Sequence, residues 1–60
     1  MSTMSTAQIN ILKVVYQKYR EQHDVIESIR MTAQQFGKEP ATVAEQLGLL
    51  EYWKLYGDKR

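Results

Sequence analysis

Gly37 and Pro40 lie close together in this 60-residue chain, and no regular helix runs through both. Glycine takes the positive φ that closes a helix C-terminus without steric strain. Proline lacks an amide hydrogen and belongs in the first turn of a helix. The pair therefore ends one helix and begins another, with only Lys38 and Glu39 between them. The segment Thr32 to Phe36 reads as a short helix before the turn. Thr32 would be its N-cap, and Gln35 stands at the capping-box position. Small Ala33 lets the two helices approach, and Val43 packs the second back on the first.

The helix after Pro40 is expected to begin between Glu39 and Ala41 and to run to about Trp53 or Leu55. Val43, Leu47 and Leu50 form its core face, with Trp53 at the margin. Ala41, Glu45, Gly48 and Tyr52 form the opposite face, flanked by Thr42 and Leu49. Gly48 inside such a helix costs about 1 kcal/mol relative to alanine, which close approach by another group would explain. Thr32-Ala-Gln-Gln-Phe-Gly and Val43-Ala-Glu-Gln-Leu-Gly echo each other. Two copies are too few for a repeat architecture. The residues Leu49-Leu50-Glu51 after the second copy read as continuing helix, not as a turn. Gly57-Asp58 is a turn or stop.

Upstream, Ser5 with Gln8 fits a capping box that opens a helix over 6–22. Its core stripe is Ile9, Leu12, Val15, Tyr16 and Tyr19. Ile11 and Val14 fall away from that stripe, beside Lys18. They are either scattered surface apolar residues or a second stripe for a partner helix. His23-Asp24 breaks the pattern, and Asp24 with Glu27 fits another capping box. Beyond it two readings stand. Ile26, Ile29, Ala33 and Phe36 suit one continuous helix; alternatively a helical turn at 25–29 precedes a separate helix from Thr32, the arrangement expected here. Residues 1–5 are expected as a flexible N-terminus and 6–60 as a single domain.

A chain this short buries only about 60 % of its unfolded surface, so packing against a second copy would add stability. Apolar residues are 43 % and charged residues 25 %, as in globular domains. There is no cysteine, so neither a disulfide nor a thiolate metal site can hold the fold. That absence is compatible with the cytoplasm, the expected location. No apolar run is long enough for a transmembrane helix, and residues 1–6 lack the basic and apolar regions of a signal peptide. The single histidine, His23, reads as a cap or rim residue, and no catalytic, metal or cofactor site is expected.

Ala33, Gly37, Thr42-Val43, Leu47, Leu50 and Leu55-Tyr56 together resemble the winged helix-turn-helix family of DNA-binding domains. Two positions depart from the family pattern. Lys38 stands where an aliphatic residue usually plugs the turn, and Lys54 where a glycine usually ends the long helix. The resemblance implies a mainly α, three-helix helix-turn-helix domain, winged-helix-like with at most a rudimentary β wing. A short strand near 29–31 and another entered at Leu55-Tyr56 belong to that expectation.

The resemblance also implies double-stranded DNA as partner and a role as a small transcriptional regulator or repressor of the kind frequent in phages and mobile elements. Ala41, Thr42, Glu45 and Gln46 would face base edges. Arg30, Thr32, Lys38, Lys59 and Arg60 would complete the DNA surface, the basic ones as phosphate contacts. A net charge of only +1 neither demands nor excludes this, and Glu39, Glu45 and Glu51 oppose it. The competing expectation is an adaptor or inhibitor that grips a protein. Its interface would be Ile11, Val14, Leu49 and Tyr52, with a homodimer through the first helix as one form. Tyr52, Trp53 and Tyr56 make an aromatic cluster that suits core or interface better than base stacking.

Overall fold

The computed structural model describes residues 4–58, which are mainly helical. Four helices follow in order: α1 Thr6–Arg20, α2 Val25–Phe36, α3 Pro40–Gln46 and the single turn α4 Leu50–Tyr52. A π-helical turn, Trp53–Gly57, continues α4. Among the described residues there is no β-strand, so neither the short strand near 29–31 nor a rudimentary wing is found there.

Ser5 opens α1 as expected. Its hydroxyl accepts from the Gln8 amide at 3.2 Å, and its own amide donates to Gln8 Oε1 at 3.4 Å. Leu12 is fully buried, and Ile9 and Tyr16 pack beside it. The helix stops at Arg20, two residues short of the expected end. There Arg20 Nη1 donates to the His23 carbonyl at 2.7 Å and closes the connection. Met4 lies in the core at 8 % exposure, which corrects the expectation of a flexible start at that position. Residues 1–3 lie outside the described part.

α2 is one unbroken helix. Asp24 caps it, accepting from the Glu27 amide at 2.8 Å. The expected separate helix from Thr32 is therefore absent, and Thr32 is not an N-cap. The physical reason is burial. Ile26, Ile29 and Ala33 form a continuous helical stripe that is 9 % exposed or less at every position, and no capping bond could match that gain. Thr32 sits mid-helix, fully buried, its hydroxyl without a hydrogen-bond partner.

Gly37 ends α2 at φ 64°, ψ 35°. Its amide donates to the Gln34 carbonyl at 3.3 Å, and the Lys38 amide donates to the Ala33 carbonyl at 3.0 Å. This pair of bonds is a Schellman closure. Glu39 is extended, and Pro40 starts α3. Ala33 and Val43 are both buried in the same core cluster, on either side of the bend.

α3 is shorter than expected. Gly48 has φ 74°, and nothing lies within 4 Å of where its Cβ would be. Glycine is needed there for its backbone angle, not to admit a neighbour. The Gly48 amide donates to the Glu45 carbonyl at 3.1 Å and the Leu49 amide to the Ala44 carbonyl at 2.7 Å. The expected single helix to Trp53 or Leu55 is thus two pieces joined by an elbow. After it the chain underwinds into a wider turn. The Asp58 amide donates to the Trp53 carbonyl at 2.8 Å, and a Cβ on Gly57 would overlap the Trp53 ring. This π turn replaces the strand expected at Leu55-Tyr56. Trp53 turns inward and closes a core of Met4, Leu12, Ile26, Ile29, Ala33, Val43 and Ala44.

Candidate functional site

The α2–turn–α3 unit presents the residues that the sequence singles out, but unequally. Ala41 and Glu45 are exposed, while Thr42 and Gln46 are half-buried. All four belong to α3, whose opposite side carries the buried Val43 and Ala44. Lys38, half-buried, sits in the turn just before them. Arg30 is half-buried one helix earlier, with its guanidinium carbon 6.0 Å from the Trp53 ring centroid. That contact fixes the side chain against the core edge and draws on the ring's negative face.

Thr32 does not belong to this surface. Full burial removes it from any partner, so its place among the DNA-facing residues is withdrawn. Lys59 and Arg60 lie outside the described residues. Leu49 is half-buried against the core cluster and serves packing first. Tyr52 is 41 % exposed, and its ring meets that of Tyr56 tilted by 49°, with centroids 4.7 Å apart. Leu55 and Tyr56 are each 58 % exposed. Leu55 is a residue that sequence reasoning missed as surface. Two residues beyond inward Trp53, a regular helix would already turn Leu55 outward, but reading Leu55-Tyr56 as the entry to a strand hid this.

Ile11 and Val14 stand where the periodicity put them, outside the core stripe, at 56 % and 61 % exposure. On the inner side of α1, burial raises the Tyr16 phenol above its ordinary pKa of 10.0, and neighbouring Arg20 offsets part of that rise. The Tyr19 hydroxyl donates to Gln35 Oε1 at 2.7 Å and ties α1 to α2. His23 is half-buried, its ring 6.3 Å from that of Tyr19.

Glu39, Glu45 and Glu51 are exposed beside half-buried Lys38 and Arg30. Among the described residues no three His, Cys, Asp or Glu side chains converge as a metal site. What the surface offers is hydrogen-bonding side chains on a short, firmly seated helix, with one cation at its approach. No described helix is long and apolar enough to cross a membrane. No protein-family model matches this chain, and neither does any curated protein or solved structure.

Proposed function

We propose that the chain is a small DNA-binding regulator whose α2–Gly37–α3 unit works as a helix-turn-helix without a wing. One observation carries this reading. The bend at Gly37 holds Ala33 and Val43 inside, while Ala41, Thr42, Glu45 and Gln46 remain at least partly accessible on the short helix that follows. A glutamine can pair with an adenine edge, a glutamate can accept from cytosine, and threonine or alanine can meet a thymine methyl. Lys38 supplies a phosphate contact at the start of that helix, with Arg30 behind it. Control would come from occupying a promoter, by occlusion or recruitment.

A mobility shift tests this on mixed-sequence duplex at low salt and again at about 200 mM, where phosphate-driven binding weakens steeply. Binding at low salt is expected, and Lys38→Ala is expected to lower the salt slope by about one. Thr42→Ala with Gln46→Ala is expected to remove about 1–3 kcal/mol of preference for the best site. Failure to bind any duplex at low salt would overturn the proposal.

A second reading rests on a different observation, the exposed Tyr52, Leu55 and Tyr56 at the C-terminal turn. Aromatic residues of this kind anchor protein interfaces. On that reading the unit grips a protein, and the loss would follow Tyr52→Ala or Tyr56→Ala, not changes on α3.

A further inference from the structure

Arg30 is half-buried on α2, yet its charge is not spent inside the chain. None of the hydrogen bonds among the described residues uses its N–H donors. Thr32 Oγ1 is the sole buried side-chain oxygen or nitrogen without a partner among the described residues, so the Arg30 nitrogens reach water. What holds the guanidinium is the Trp53 ring, whose centroid is 6.0 Å from Cζ. That ring is itself held. The core buries it, and the Gly57 backbone lies so close that an added Cβ would overlap it.

We propose that Arg30 is a preset phosphate clamp of the α2–α3 unit and that Trp53 is its positioning residue. The inference rests on the DNA reading above and makes the C-terminal turn part of the same site. Charge gives the placement its weight. From Asp24 to Gln46 the chain carries Asp24, Glu27, Glu39 and Glu45 against Arg30 and Lys38 alone. Such a balance offers a polyanion little general attraction, so affinity has to come from placed contacts.

The chemistry suits arginine. A guanidinium is planar and weakly hydrated, so it rests on an aromatic ring and still offers paired N–H groups to one phosphate. A free side chain loses rotamer freedom when it grips a ligand, and one already held over a ring loses less. An ammonium at this position would keep the charge and lose the fork.

The test is duplex affinity of the full chain by mobility shift at several salt concentrations, with circular dichroism to show that each variant is folded. Arg30→Ala is expected to bind roughly tenfold more weakly, with the salt slope lower by about one. Arg30→Lys is expected to bind nearly as weakly but to keep the original slope, because the charge stays and the fork goes. Trp53→Phe keeps an aromatic ring in the core. It is expected to cost about threefold in affinity at unchanged slope, and to cost nothing further once Arg30 is alanine. Full affinity in Arg30→Lys, or a Trp53→Phe loss that persists without Arg30, would overturn the proposal. If Trp53→Phe does not fold, Arg30→Lys decides alone. Failure of the unaltered chain to bind any duplex at low salt sinks the DNA reading instead, and pyrophosphate then tests the clamp by itself. The Arg30 Nε–H resonance is expected to shift further with pyrophosphate in the unaltered chain than in Trp53→Phe, and equal shifts overturn the clamp too.

Discussion

Two helix ends in this chain use the same local closure and lead to different structures. Ala33-Gln-Gln-Phe-Gly37 and Ala44-Glu-Gln-Leu-Gly48 both end in a left-handed glycine. Both make the same two backbone bonds, from the glycine and from the residue after it. Both bury their alanine and lean their large apolar residue, Phe36 or Leu47, on the core. The difference lies in the next residue. Lys38 leads into extended Glu39 and then Pro40, so the first closure opens a polar turn between two helices. Leu49 packs on the core, and helix resumes at once with Leu50, so the second closure is a tight elbow. The glycine decides that a helix stops; the polarity of its successor decides where the chain goes afterward.

The largest expected effect separates the two successors. Leu49→Ala should lower stability by about 2 kcal/mol, at the low end for a leucine because the site is only half-buried. Lys38→Ala should stay within about 0.5 kcal/mol. Urea unfolding measures both, and equal losses would break the distinction between turn and elbow. Next come the glycines themselves. Neither has a neighbour within 4 Å of an added Cβ, so Gly37→Ala and Gly48→Ala test backbone strain alone. Each should lose about 1 kcal/mol, and the two values should agree. A much larger loss at one site would show that the closures are not equivalent. The smallest effect belongs to Pro40, which restricts only the exit from the first. Pro40→Ala should lose about 0.5 kcal/mol through the unfolded chain, read as a small drop in the thermal midpoint.

Much of this architecture was legible in the residues. The Ser5 capping box, the Ile9, Leu12 and Tyr16 part of the inner stripe of α1, the stop at Gly37 and the start at Pro40 follow from local chemistry and spacing alone; Val15 and Tyr19, expected in that stripe, do not join the core cluster. Thr32 shows where local chemistry misleads. As an N-cap candidate it argued for a helix break, but the stripe of Ile26, Ile29 and Ala33 outweighed it and carried the hydroxyl into the interior. The echo of the two glycine segments was visible as well. After its second copy, Leu49-Leu50-Glu51 reads as continuing helix because it carries no turn chemistry. Helix does follow, but only after Gly48 has turned the axis. The π turn left no periodic signal, because the underwinding goes with Trp53 settling over Gly57 in three dimensions. For the candidate site, sequence placed Ala41, Thr42, Glu45 and Gln46 on α3, whereas the expectation of a strand at Leu55-Tyr56 hid the exposure of Leu55.

Trp53 is the chain's sole tryptophan, and it sits where the C-terminal turn closes over the core and beneath Arg30. Its indole is 6 % exposed. Intrinsic fluorescence therefore comes with a built-in reporter at the final closure of the fold. A red shift in emission would signal that the elbow after Gly48 has let go, even while the circular dichroism of α1 and α2 holds steady.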